Sequence, residues 1–349
     1  MKHSHLSASS AHRWIKCPGS VGMSMDIPRQ DSDASLEGTR AHEIAEMLLN
    51  GETPIQCDPE MLSHCEAFRD YVLSIPGQLN TEMKVKYGAV TEVHEINGKP
   101  DSFGTADVIV IGDDGLHIVD FKYGMGKVYA EMNPQLMLYA LGALDFFYEG
   151  YDGPVSLHIF QPRIDWVDVW QIDDRIYEWA DEVKVAAKKV VDGIRNVGRY
   201  LEVGDHCTWC PARGLCPALS DDILDMFDNP HLEESDYAEI LTKKKLIKNW
   251  LDSVEAAALL IVEAGGVIPG FKLGQGREGN HKWLGSVDEI LSEDVLYKTE
   301  VRTPSEIEKI LPRRDNEAIW QELDQYIGRE PAKQVLVPDT TSKTNLKDI

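Results

Sequence analysis

The 349-residue sequence has no run of about 18 apolar residues and no charged-then-apolar leader, because Met1-Lys2-His3-Ser4-His5 passes straight into polar sequence. A membrane span and a secretory signal are therefore not expected, and a cytoplasmic protein is. Basic charge is also scarce. Thirty-five Lys and Arg stand against 59 Asp and Glu, a formal net charge of −24 spread over both halves of the chain. Affinity for phosphate by surface charge alone needs the opposite balance, which excludes a protein that coats nucleic acid nonspecifically. A phosphodiester substrate would have to be drawn in by bound cations, by a local basic groove or by a partner. Cysteines number six, Cys17, Cys57, Cys65, Cys207, Cys210 and Cys216, too few for a disulfide framework in a chain this long. No internal repeat and no helicase motif is evident. Residues 274–279, GQGREG, lack the Gly-Lys-Ser/Thr ending of a phosphate loop, so a basic turn carrying Lys272, Arg277, His281 and Lys282 is the better reading.

Residues 103–139, FGTADVIVIGDDGLHIVDFKYGMGKVYAEMNPQLMLY, organise the rest. Two β-rich runs, 108–111 and 116–121, flank Gly112-Asp113-Asp114-Gly115, which suits a tight hairpin. Asp107 begins the first strand, and Asp120 and Lys122 end the second. An antiparallel hairpin places a start beside an end, so the three groups can meet at one edge of a sheet as a candidate metal site. Asp120 and Lys122, two apart, share a strand face. Gln135 and Tyr139, four apart, share a face of the following helix.

Elsewhere the pattern predicts helices over 35–50, carrying His42, over 60–75, 134–147, 173–199 and 234–264, and further helical structure over 286–330. Residues 81–87 and 90–96 alternate and predict a hairpin feeding the sheet, with Glu82 at the opening of its first strand as a solvated glutamate that could also serve as an acidic ligand. Residues 155–160 predict another strand. Lys184, Lys188 and Lys189 form the best basic patch in the chain, although a solvated helix face explains them as well. Cys57 and Cys65 lack ligand spacing and read as structural.

Residues 206–217, HCTWCPARGLCP, present C-x2-C-x5-C, three thiolates from one short loop. Three ligands leave a set for zinc or an iron-sulfur cluster incomplete. Cys17, followed by Pro18 as Cys216 is by Pro217, is the natural fourth; His206 would serve for Zn²⁺.

The ordered set Ser7 to Ser9 with Cys17-Pro18, Gly38-x3-His42, Gly104-x2-Asp107, Asp120-x-Lys122, Gln135-x3-Tyr139 and C-x2-C-x5-C resembles the RecB-type branch of the PD-(D/E)XK nucleases. The likeness is to its iron-sulfur members, typified by AddB and the CRISPR-associated exonucleases, over about residues 5–217; the full length looks similar to an uncharacterised family found in phages and prophages. In that branch the first acidic residue follows Gly-x-x, which points to Asp107 and makes Pro100-Asp101 a decoy. The resemblance implies an α/β fold: a restriction-endonuclease-like core, with a central mixed β-sheet flanked by helices, an iron-sulfur clasp closing a nuclease domain at 1–217, and a mainly helical C-terminal extension at 218–349 for a partner or for guiding DNA. It implies a metal-dependent DNA exonuclease acting on ends or single strands in phage recombination or replication, in a bacterial host cell and alongside phage or host proteins. Asp107, Asp120, the Phe121 carbonyl and His42 would bind Mg²⁺ or Mn²⁺, and Lys122 would orient or deprotonate a water. Gln135 and Tyr139 would hold the lysine and the phosphate backbone, and Cys17, Cys207, Cys210 and Cys216 would carry a [4Fe-4S] cluster with a structural role. The competing expectation, favoured by the acidic charge, is a noncatalytic binding protein on the same scaffold within a replication, recombination or packaging complex.

Overall fold

A five-stranded mixed sheet sits between two layers of helices, as the computed structural model of the chain describes over residues 4–27, 32–54, 57–147, 153–226, 232–274, 308 and 312–323. Two short helices, α1 (Ala11–Trp14) and α2 (Gly19–Ser24), precede α3 (Asp33–Leu49) and α4 (Pro59–Leu73). Side-chain caps start the latter two: Ser32 Oγ accepts from the Ser35 amide, and the Asp58 carboxylate from the Met61 amide. Strand β1 (Gln78–Lys86) leads through one helical turn, α5 (Gly88–Thr91), and a two-residue hairpin, β2 (Glu95–Ile96) and β3 (Lys99–Pro100), into β4 (Phe103–Gly112) and β5 (Gly115–Phe121). Helix α6 (Pro134–Phe147), strands β6 (Val155–Gln161) and β7 (Trp166–Gln171), and helix α7 (Arg175–Arg195) complete the core.

The sheet order is β1-β4-β5-β6-β7, with β5 and β6 parallel and every other pair antiparallel. A parallel pair needs a crossover connection, and α6 supplies it. Period-two alternation sends Val108, Val110, Val119 and Phe121 toward Ala41, Ile44, Cys65 and Phe68 of α3 and α4. Ile109, Leu116, Ile118 and Ile159 point the other way, into a core shared with Leu136 and Leu138 of α6 and Val183 and Val190 of α7.

One expected hairpin is absent. Residues 90–96 do not pair with β1; its partner is β4, and the segment between them turns through α5. The hairpin signal lies one step later, at Asn97-Gly98, where both residues take positive φ (52° and 71°) as a two-residue primed turn requires. Asp101 is buried, and its carboxylate accepts from Ser4 Oγ (2.5 Å) and from the amides of His5 (3.0 Å), Leu6 (2.9 Å) and Ser102 (2.8 Å). That carboxylate anchors the N-terminal segment.

Residues Met1–Leu273 form one compact unit and Gly274–Ile349 another. The division expected after residue 217 falls inside the first unit, because α8 (Pro217–Asp225) and α9 (Glu234–Glu263) build a small core with the cysteine-bearing turns, around Cys207, Leu219, Ile223, Leu246 and Trp250. In the second unit the described residues include the helix Glu317–Leu323. Arg277, His281, Lys282, most of the helical structure expected over 286–330 and the chain beyond 323 lie outside the described residues. Among the described residues no helix is long and apolar enough to cross a membrane.

Candidate functional site

The β4–β5 ladder ends at the pair Val108–Val119, and the next step of the same register sets Asp107 opposite Asp120. On the other side of β4, the pairs Thr81–Val108 and Met83–Ala106 flank an unpaired step where Glu82 faces Asp107. Three carboxylates thus occupy one row across β1, β4 and β5. Glu82 has φ of 45°, a conformation that costs a non-glycine residue free energy and that clusters at functional sites.

Asp107 Oδ2 accepts from the Phe121 amide at 2.8 Å, and its Oδ1 lies 3.4 Å from His42 Nδ1. Ligand atoms of His42, Glu82 and Asp107 all lie within 4.8 Å of one another. Helix α3 delivers His42, whose ring packs edge-on against Phe121 at 5.4 Å between centroids. Lys122 Nζ lies 2.7 Å from Asp120 Oδ2 and donates to Gln135 Oε1 at 3.0 Å. Gln135 Nε2 in turn donates to Asp120 Oδ1 at 3.0 Å, so one amide bridges the acid and the lysine. Asp120 Oδ2 is buried and makes no hydrogen bond in good geometry; the Lys122 ammonium is its one close compensation. Tyr139, one turn beyond Gln135, is buried, with its ring where a Cβ on Gly104 would sit, 2.8 Å from Cε1. Burial pushes its phenol up, and the charges of Asp120 and Asp107 push the same way.

Proton affinities record the crowding of negative charge. Glu82 is pushed up to about 7, by burial first and then by Asp107 and Glu46. Burial also raises Asp120, and Asp107 adds to it against the pull of Lys122. Burial works against the charge on Asp107, yet His42, Lys122 and the Phe121 amide hold its pKa below the ordinary range. For His42 and Lys122 burial favours the neutral form, but the neighbouring aspartates outweigh it and both pKa values rise. Oxygen donors with one imidazole form a donor set for a hard divalent cation, and the imidazole tilts the choice toward Mn²⁺. A cation there would relieve the crowding of negative charge that raises both Glu82 and Asp120.

His42, Asp107, Asp120, Lys122, Gln135 and Tyr139 therefore come together; hairpin and helix spacing pointed to all of them but His42, which the family resemblance alone implied. Glu82 belongs with them, which takes the acidic-ligand reading of this strand end over the solvated one. Its membership follows from a pairing with β4 that is remote in sequence and from a backbone turn that no glycine or asparagine announces. The lysine patch on α7 is partly spent: Lys184 and Lys188 reach Glu92 at 3.1 and 2.6 Å.

Cys17, Cys207, Cys210 and Cys216 line one small pocket of about 10 Å³, together with Met23, Leu201 and Leu219. The N-terminal turn reaches the second segment by close backbone approach. The Gly19 amide donates to Tyr200 O at 3.0 Å, and any Cβ on Gly19 would collide with the Arg199 carbonyl. The Glu202 amide donates to Cys17 Sγ at 3.4 Å, a contact that favours a thiolate. Burial raises the thiols of Cys17, Cys207 and Cys216, Cys207 to about 11, and a bound metal would take the place of their protons. No three of the four sulfurs lie within 4.8 Å of one another among the described residues. Tetrahedral zinc with Zn–S of about 2.3 Å would draw them to about 3.8 Å apart.

A family model described as "Protein of unknown function (DUF2800)" matches residues 3–344 of the chain. The chain belongs to the DUF2800 family. This DUF2800 chain is also similar to a solved structure titled "Crystal structure of SSO0001", with 15% sequence identity, 61% of this chain and 85% of that one covered, and a TM-score of 0.30. The α/β class of this DUF2800 chain rests on the five-stranded mixed sheet and the helices on its two faces.

Proposed function

We propose that the chain is a divalent-metal-dependent DNA nuclease of the RecB-like PD-(D/E)XK kind, an exonuclease hydrolysing phosphodiester bonds at DNA ends or in single strands. The observation that carries this reading is the convergence of Asp107, Asp120 and Lys122 at one sheet edge, with His42 beside Asp107 and Gln135 bridging acid and lysine.

Asp107, Asp120, the Phe121 carbonyl and His42, joined by Glu82, would hold Mg²⁺ or Mn²⁺. The ion, when bound, lowers the pKa of a water and neutralises charge on the scissile phosphate. Lys122 has its pKa raised, so it serves as a cation that orients the water and faces the phosphate, not as the base. Gln135 fixes the ammonium. Tyr139 is buried behind Gln135, so its role is to position that amide, and direct contact with the phosphate backbone is left to other groups. The four cysteines would hold a [4Fe-4S] cluster as a structural clasp between the N-terminal turn and residues 199–216, with Zn²⁺ as the alternative occupant.

Phage recombination or replication, in a bacterial cytoplasm, is the setting this reading proposes, with DNA and the proteins of those processes as partners. The net charge of −24 favours a second reading, a noncatalytic nuclease-fold protein working inside such a complex. The experiment that separates the two is digestion of end-labelled DNA by the purified chain with Mg²⁺ or Mn²⁺, beside the Lys122→Ala variant.

A further inference from the structure

The loop joining β5 to α6 begins and ends in the candidate site. Lys122 opens it, and Asn133 closes it by accepting from the amides of Gln135 (3.1 Å) and Leu136 (3.3 Å). Side chains from outside tie its backbone down. Gln161, fully buried, donates Nε2 to the carbonyls of Gly124 (3.2 Å) and Gly126 (2.9 Å), and its Oε1 accepts from the Val128 amide (2.7 Å). Trp166 Nε1 donates to Val128 O at 2.9 Å, and Asp168 Oδ2 accepts from the Ala130 amide at 2.7 Å.

The loop is fixed, yet it turns apolar side chains to solvent: Met125 is 61% exposed and Tyr129 56%. Lys127 lies with its ammonium 3.3 Å from the centroid of the Trp166 ring and 5.6 Å from that of Tyr129, and the two rings meet edge-on at 5.8 Å. Past Tyr129 runs a groove of 430 Å³ floored by Met132, Asp168 and Trp170, with the Arg175 guanidinium 5.3 Å from the Trp170 ring. Asp168 accepts from the Ala130 amide, and Arg175 is shared between Glu131 at 3.0 Å and Asp173 at 2.8 Å, so Lys127 is the cation the loop offers a phosphate.

An isolated exposed tyrosine is ordinary. A rigid loop that spends at least five hydrogen bonds on holding exposed aromatic, apolar and basic side chains beside a reaction centre is preorganised for a ligand, since little ordering is left to be done on binding. Rings for base faces and cations for the backbone are the groups that bind single strands without reading sequence. In a duplex the base faces are covered, and a chain this acidic has little charge with which to hold one.

We propose that Tyr129, supported by Lys127 and Trp166, is a stacking platform for the bases of single-stranded DNA, feeding the strand toward Lys122 along the Met132–Trp170 groove. The inference rests on the nuclease reading for the direction of feed, but the binding itself does not need cleavage. It is tested with the full-length chain in EDTA, by fluorescence anisotropy of labelled oligo(dT) and of a duplex of equal length. Wild type binds the single strand more tightly than the duplex; Tyr129→Ala weakens single-strand binding roughly 5- to 100-fold, and Tyr129→Trp restores it. Equal affinity in Tyr129→Ala, preference for duplex, or no binding by wild type would each overturn the platform. A chain that binds through Tyr129 and never cuts would overturn the nuclease reading alone.

Discussion

Glu82 faces Asp107 at the single unpaired step of the β1–β4 ladder, and both carboxylates come within 4.8 Å of the His42 ring nitrogen. A glutamate held at φ 45° beside an aspartate gives up backbone comfort and adds charge repulsion, which a shared cation would offset.

From this follows a prediction about metal affinity. Glu82→Gln should weaken Mn²⁺ binding roughly 10- to 100-fold, a loss on the scale seen when groups supporting a metal site are removed. Because Glu82 keeps its proton up to about pH 7, wild-type affinity should climb through that pH as the metal displaces the proton, and the variant should lack this climb. Calorimetric titration between pH 6 and 8, in units of roughly half a pH step, measures both. Equal affinities would place Glu82 outside the site.

Gly104 supplies a second test, one of packing. Its missing side chain is the space that the Tyr139 ring occupies, 2.8 Å from where a Cβ would sit. Gly104→Ala should cost about 1–3 kcal/mol in urea unfolding, as overpacking of a filled core does. Since Tyr139 stands behind Gln135, the variant should also cut more slowly. Unaltered stability would mean that Tyr139 yields freely, and its positioning role would go with it.

The cysteine pocket makes a prediction about colour. Anaerobically purified protein should be brown, with iron and sulfide present, and Cys210→Ala should lose both the colour and stability. Stoichiometric zinc in place of iron, in colourless wild-type protein, would contradict the cluster.

Away from these sites, His158 is buried between Tyr71 and His117, with Tyr71 Oη 2.8 Å from Nδ1 and His117 Nδ1 3.1 Å from Nε2. Burial, reinforced by His117, lowers its pKa to about 4. The unfolded chain takes up this proton near pH 6.5 while the folded one resists, so the ring's contribution is intact above about 6.5 and drains away as pH falls toward 4. The loss is at most about 3 kcal/mol. Melting temperatures of wild type and His158→Gln should converge as the pH is lowered through that window; parallel curves would show that the ring titrates freely.

Much of the site was legible because its parts obey short-range rules. Asp120 and Lys122 are two apart on a strand, Gln135 and Tyr139 four apart on a helix, and a two-residue turn sets the register that puts Asp107 opposite Asp120. Glu82 was legible only as a possible ligand, because its place depends on which strand pairs with β1. The alternation of residues 90–96 suggested the nearer partner, whereas the Asn97-Gly98 turn diverts that segment and leaves β4 to pair. Gln161 was missed for a related reason: a buried strand-end amide gains its meaning only from the loop that folds over it.

The most direct test of the central claim is single-turnover hydrolysis of end-labelled single- and double-stranded DNA with Mn²⁺, for wild type and Lys122→Ala. The account predicts that wild type degrades DNA, and that the variant is slower by about 10²-fold or more while still binding Mn²⁺. Intact DNA with wild type under Mg²⁺ and Mn²⁺, or equal rates for the two proteins, would contradict it.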